Sequence, residues 1–174
     1  YYDNGELDEG AAFIYHGSAS GVDTTADTTL DSNQVGANFG YSVATAGDVN
    51  GDGYSDVIVG AYNYQNGQSA EGAAFIYHGS ASGVDTTVDT TLEENQALAS
   101  FGISVATAGD VNGDGYSDVI IGADYYSNGQ TFEGAAFIYH GSASGVDTTA
   151  DTTLESNQAY ANSVSYTHLT LPTN

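Results

Sequence analysis

The chain has 174 residues, of which 23 are Asp or Glu and none is Lys, Arg or Cys, so its formal net charge is −23. Without Lys or Arg it cannot form a phosphate-neutralising surface, which excludes nucleic-acid binding and attraction to anionic lipid. The absence of Cys excludes disulfides and thiol catalysis, and a hydrophobic content of 40% argues against a disordered chain.

The sequence is internally repeated with a period of 62 residues, because the segment EGAAFIYHGSASGVDTT begins at Glu9, Glu71 and Glu133. Such periods are typical of folds in which each repeat stacks on its neighbours. We therefore expect four parts: 1–36 as the end of a preceding unit, 37–98 as a unit, 99–162 as a unit with the start of the next, and 163–174 as a non-repeat tail. The tail is either translated sequencing-adapter read-through or a divergent end, and we assign it no function.

Three runs in each repeat predict short β-strands, and no window shows the 3.6-residue period of a helix. The first run, at 39–46 and 101–108, mixes apolar and small residues. The second, at 56–61 and 118–123, is continuous and β-branched. The third lies at 72–77, and a weaker fourth is expected around 90–95. The pattern predicts an all-β fold with one sheet per repeat.

Between the first two predicted strands lies a loop with oxygen-bearing side chains at positions 1, 3, 5 and 9 and a glycine at position 6. This spacing is suited to wrapping oxygens around a cation, with position 7 offering its backbone carbonyl. Calcium accepts about 6 to 8 oxygen ligands, and the loop has no His or Cys for a transition metal. The predicted ligands are Asp48, Asn50, Asp52, Tyr54 (carbonyl) and Asp56 in one loop, and Asp110, Asn112, Asp114, Tyr116 (carbonyl) and Asp118 in the other.

The alternative for this loop is an acidic turn whose Asp and Asn side chains only cap the backbone. Three carboxylates in nine residues would then repel one another without a cation. The loop is not an EF-hand, because Val59 or Ile121 stands where a bidentate Glu would be needed and a strand follows instead of a helix. We therefore predict two Ca²⁺ sites.

The combined motif resembles the FG-GAP repeat of the integrin alpha-chain β-propeller and of bacterial surface proteins. The resemblance depends on Phe39-Gly40, the loop within 47–53 and the strand 56–61, and the second copy runs from Phe101-Gly102 to Gly122-Ala123. The proline that usually closes the motif is replaced by Tyr62 or Asp124. The resemblance implies blades of about four antiparallel strands, calcium in hairpin loops at one rim, and a role in adhesion or ligand binding.

Two complete repeats are too few for a closed propeller, which has about 4 to 8 blades. We therefore expect a partial propeller, and the alternative geometry is an open stack with unpaired edges. The favoured function is a calcium-binding adhesion or ligand-binding module that is extracellular or at the cell surface. Its partner would be a protein or carbohydrate at the propeller face, without direct membrane insertion. The alternatives are the non-catalytic propeller of a secreted hydrolase and a repetitive spacer in a surface fibre.

Two further residue types invite functional hypotheses. His16, His78 and His140 share one repeat position, and we interpret them as strand-end residues instead of a metal ring. Tyrosines in the loop after the second strand vary between copies and are the better candidates for ligand contact: Tyr62, Tyr64, Tyr125 and Tyr126. No catalytic residue is predicted, because no nucleophile elbow or other catalytic signature is present.

Overall fold

The computed structural model describes residues 2, 3 and 5–163, and in these residues all regular structure is β-strand. The strands of the first half are β1 (Ala12–Ile14), β2 (Gly17–Ser18), β3 (Gly21–Val22), β4 (Thr28–Leu30), β5 (Ser42–Gly47), β6 (Asp56–Ala61) and β7 (Ala73–Tyr77). Those of the second half are β8 (Gly79–Ser80), β9 (Gly83–Val84), β10 (Thr90–Leu92), β11 (Phe101–Gly109), β12 (Asp118–Ala123), β13 (Ala135–Tyr139) and β14 (Thr152–Glu155). The described residues form no helix long and apolar enough to cross a membrane.

The strands pair into two four-stranded antiparallel sheets, ordered β10-β7-β6-β5 and β11-β12-β13-β14. Strands β1 and β4 pair antiparallel as a two-stranded sheet that precedes them, and β2-β3 and β8-β9 are small hairpins. Within each four-stranded sheet the strands lie side by side in the order in which they occur along the chain, with the β8-β9 hairpin inserted between β7 and β10, and this is the order of a propeller blade. The predicted all-β fold and partial propeller are confirmed.

The predicted strand limits are correct for the second strand and shifted for the first and fourth. The second strand coincides with β6 and β12. In the first copy the opening strand starts only at Ser42, whereas in the second copy it starts at Phe101 as predicted, although Phe39 and Phe101 make equivalent parallel bridges with Gly10 and Gly72. The fourth strand ends at Leu92, before Asn95 takes a positive φ of 49°.

The two middle strands of the first four-stranded sheet, β6 and β7, are buried on both faces. Residues of β6 and β7 alternate, so that Ile58 and Ile76 pack toward the following sheet, where they contact Val119, Ile121 and Phe137. Their neighbours Val59 and Phe75 pack toward the preceding sheet against Ala12, Leu30 and Phe39. A strand with two buried faces needs apolar side chains at every position, which explains why the DVIVGA and AAFIY runs are continuous and not alternating.

Glycines allow the two four-stranded sheets to approach each other closely between β6 and β11. A Cβ placed on Gly60 would lie 2.0 Å from the carbonyl oxygen of Gly102. The hydroxyl of Ser42 donates a hydrogen bond of 2.7 Å to that same carbonyl. Gly60 is therefore required by backbone contact between sheets and not by its own dihedral angles.

The predicted non-repeat tail, 163–174, lies outside the described residues except for its first residue. The backbone N–H of Ser163 donates to the carbonyl of Glu133 at 3.1 Å. This is the same type of contact that Phe101 makes with Glu71 one period earlier, at 2.9 Å. The boundaries predicted between the repeats stay predictions.

Candidate metal centre

The two predicted metal loops connect the first two strands of each four-stranded sheet, β5 to β6 and β11 to β12. In each sheet the pairing register shifts where the loop begins, at Gly47 opposite Asp56 and at Gly109 opposite Asp118. Gly47 has a φ of 83°, a left-handed conformation that favours glycine. The shift directs the chain out of the ladder and into the loop.

In the first loop, side-chain oxygens turn inward onto backbone N–H groups. Asp48 and Asn50 each accept the N–H of Asp52 through Oδ1, both at 3.0 Å. The second oxygen of Asp48 accepts the N–H of Gly53 at 2.9 Å, and Asp52 accepts the N–H of Tyr54 at 2.9 Å. The predicted ligands at positions 1, 3 and 5 are therefore gathered around one short stretch of backbone.

The second loop repeats this arrangement. Asp110 accepts the N–H groups of Asp114 and Gly115, each at 3.0 Å, and Asn112 accepts that of Asp114 at 2.9 Å. The N–H of Tyr116 donates to Asp114 at 3.0 Å. This hydrogen bond, followed by one from Asn112, lowers the pKa of Asp114, so that its carboxylate stays ionised.

The carboxylates at position 9 have a different environment from the others. Asp56 and Asp118 are fully buried. Asp56 accepts the N–H of Val49 and that of Gly79, both at 2.8 Å, and burial raises its pKa. Asp118 accepts the equivalent N–H groups of Val111 and Gly141, at 2.7 and 2.9 Å. These residues hold each loop against the hairpin turn that follows the third strand.

A cation in these loops would have to share its ligands with backbone N–H groups. Within the described part of the chain, no three carboxylate or imidazole groups converge closely enough to hold a metal ion in their present positions. However, an ionised Asp has about four lone-pair positions. Asp48, Asp52 and Asp56 each use only two of these positions in the hydrogen bonds of the first loop. The donors are hard oxygens, the kind that calcium prefers, so the residues present fit a calcium ion.

The three histidines that share one repeat position lie at strand ends, as the sequence indicates. The backbone N–H of each of these histidines donates to the side chain of an Asp of its own repeat at 2.7 to 2.8 Å. Each imidazole Nδ1 lies 3.3 to 3.7 Å from the other oxygen of that Asp. The pairs are His16 with Asp27, His78 with Asp89, and His140 with Asp151.

The four loop tyrosines divide into two pairs. Tyr64 and Tyr126 pack edge-on against core phenylalanines, with ring centroids 5.2 and 5.1 Å away, which makes them packing residues. Tyr125 is 42% exposed and stacks edge-on against Phe132. Tyr62 stacks at 4.7 Å on Tyr41, which is 57% exposed. Sequence reasoning missed Tyr41, because it lies outside the variable loop and meets Tyr62 only in the folded chain.

Comparison with known proteins gives matches for most of the chain. A family model for the FG-GAP repeat matches residues 39–77 and 101–139. Integrin alpha-3 of Cricetulus griseus is 34% identical over 138 residues, which is 79% of this chain and 12% of that protein. Integrin alpha-6 of Homo sapiens is 35% identical over 119 residues, 68% of this chain and 10% of that protein. Integrin alpha-PS2 of Drosophila melanogaster is 36% identical over 119 residues, 64% of this chain and 8% of that protein. The chain thus spans 8 to 12% of the length of these relatives.

Proposed function

Because this chain contains two FG-GAP repeats and is homologous to integrin alpha chains, we propose that it is a calcium-binding β-propeller segment that serves as an adhesion or ligand-binding module. The observation that carries the proposal is the loop of Asp and Asn side-chain oxygens, which occurs twice with equivalent hydrogen bonds from backbone N–H groups to the position 1 Asp. A binding role, extracellular or at the cell surface, follows from the resemblance to integrin alpha chains. The proposal assigns no catalytic residue.

The charge of the chain supports calcium as the bound ion. Each loop places three carboxylates within nine residues, and the chain has no Lys or Arg to neutralise them. Two bound calcium ions would change the formal charge from −23 to about −19. Millimolar calcium outside cells is sufficient to fill sites of modest affinity. The resulting stabilisation follows from mass action, because the ion binds the folded loop better than the unfolded one.

The exposed tyrosines are the proposed ligand surface. Tyr41 with Tyr62, and Tyr125 with Phe132, form two edge-on aromatic pairs with one ring in each pair open to solvent. Both pairs include a residue of the segment that joins the second and third strands, at the opposite strand ends from the calcium loops. Such rings provide apolar area and hydroxyl groups for a protein or carbohydrate ligand.

Calcium titration of the full chain by calorimetry tests the proposal. We expect two calcium ions per chain, and one when either Asp52 or Asp114 is replaced by Ala. A chain that takes up no calcium at millimolar concentration would refute the proposed metal function. Magnesium serves as the control ion, because it requires near-octahedral geometry at shorter distances and keeps several of its waters.

A further inference from the structure

The two candidate calcium loops are in direct contact through Ser117 and Asp48. The N–H of Ser117 donates to the carbonyl of Asp48 at 2.9 Å. In return, the N–H of Asp48 donates to the hydroxyl of Ser117 at 3.1 Å. This pair of reciprocal hydrogen bonds joins the start of the first loop to the end of the second.

Packing adds to these hydrogen bonds. The ring of Tyr116 covers Gly51, so closely that a Cβ at that position would lie 2.6 Å from the ring. The carbonyl of Val49 accepts the N–H of Ser142 at 3.0 Å. As a result Val49 is fully buried, whereas Val111, its equivalent in the second loop, is 41% exposed. The first loop therefore packs against both the second loop and the turn that contains Ser142.

The contact joins a predicted ligand of the first site to a residue that lies between two predicted ligands of the second site. Asp48 is position 1 of the first loop, and Ser117 lies between the position 7 and position 9 residues of the second, Tyr116 and Asp118. Ordering of either loop by an ion restricts the other through the shared hydrogen bonds. A site that is already ordered loses less conformational entropy when it binds its own ion.

We propose that Ser117 is a positioning residue that couples the two loops, so that calcium in one raises the calcium affinity of the other. This inference rests on the proposed calcium function. Coupling free energies between sites typically correspond to affinity changes of about 5-fold to 150-fold, and linkage makes the effect reciprocal. Ser55 is the repeat equivalent of Ser117, but it is exposed, and in the described part of the chain no backbone hydrogen bond joins it to a second metal loop.

The test is a calcium titration of the full chain by calorimetry, with Ser117→Ala compared with Ser55→Ala. In the wild type and in Ser55→Ala we expect cooperative filling, with each site about 5-fold or more tighter than when its partner is silenced by Asp52→Ala or Asp114→Ala. In Ser117→Ala both sites should bind with the weaker affinities of the single-site chains. If Ser117→Ala and Ser55→Ala bind calcium with equal cooperativity, the inference is wrong.

A second matched pair tests the packing contact between the two loops independently of the Ser117 hydroxyl. Gly51→Ala forces a Cβ into the Tyr116 ring, whereas at Gly113 a Cβ would meet nothing within 4 Å. Both glycines have similar positive φ values, 74° and 80°, so the backbone strain of the two substitutions is matched. Coupling should fall in Gly51→Ala and persist in Gly113→Ala. Two calcium ions bound independently in the wild type would refute the coupling and leave the calcium function intact, whereas no binding would refute both.

Discussion

The hydroxyl of Tyr139 donates a hydrogen bond of 2.7 Å to Glu94, which lies just after β10, the last strand of the preceding sheet. Burial raises the pKa of Glu94, and it also raises the pKa of Tyr139, so the pair is a neutral phenol and a partly desolvated carboxylate. The equivalent of Glu94 one period earlier is Ser32. A single difference between near-identical repeats has thus placed a charge at one junction between sheets.

Glu94→Gln should stabilise the chain at high pH and not at low pH. The folded-state pKa of Glu94 lies above its ordinary value of 4.5, so its contribution to stability is fully present below pH 4.5 and is lost as the pH rises through the folded-state value. Gln avoids burial of the charge, and its amide oxygen still accepts from Tyr139. The melting temperature of Glu94→Gln should exceed that of the wild type at pH 8, by about 2 to 4 °C for each kcal/mol.

The matching measurement at pH 3.5 is the control, because Glu94 is then protonated and the gain should disappear. Taking the difference between variant and wild type cancels the titration of the calcium-loop aspartates, which is common to both chains. A gain of the same size at both pH values would show that charge burial is not the cause.

Leu92 and Leu154 occupy the same position in successive repeats, yet only one is buried. Leu92 is fully buried between two sheets, whereas Leu154 is 48% exposed. Leu92→Ala should reduce the free energy of unfolding by about 2 to 5 kcal/mol through the cavity it creates. Leu154→Ala removes a side chain that is already half exposed, so it should change the free energy of unfolding by about 0.5 kcal/mol. Urea unfolding of this chain measures both, and equal losses would contradict the stacked arrangement of the sheets.

Gly60→Ala should destabilise the chain, because its Cβ would meet the backbone carbonyl of Gly102, which cannot move aside without shifting a strand. Overpacking of this kind typically costs about 1 to 3 kcal/mol. Gly17→Ala is the control, since a Cβ there meets nothing within 4 Å. Thermal unfolding of the two variants should show a large loss only for Gly60→Ala. A wild-type melting curve for Gly60→Ala would mean that the two sheets are not so closely packed.

Removal of calcium should lower the melting temperature of the wild type. At a free calcium concentration of about 100 times the dissociation constant, each filled site adds about 2.7 kcal/mol to the free energy of unfolding. Excess EGTA should abolish this gain, and Asp52→Ala should retain less than half of it, because the remaining site binds calcium more weakly when its partner is silenced. Asp23→Ala is a suitable control, because Asp23 is an exposed carboxylate outside both loops. A melting curve unchanged by EGTA would refute the stabilising role of calcium.

The strands and loops were predictable because each depends on local chemistry. β-Branched runs such as Val57–Val59 form strands wherever they are buried, and the glycines at positions 4 and 6 of the loops allow the positive φ that a tight loop needs. The ligand prediction was less complete at Asp56. Its two oxygens accept backbone N–H groups of Val49 and Gly79, and Gly79 is 23 residues distant in the chain. The spacing of residues within the loop cannot predict a contact with a residue so far away in the sequence.

The repeated sequence by itself determined the fold class, the antiparallel blades that its FG-GAP resemblance implies, and the position of the two loops. Only the tertiary structure decided which copy of each residue is covered. Val49 and Val111, Leu92 and Leu154, and Ser55 and Ser117 are pairs with the same local sequence preference and different burial. The physical reason is that burial depends on what the neighbouring sheet places against a residue, and two identical segments with different neighbours have different surroundings.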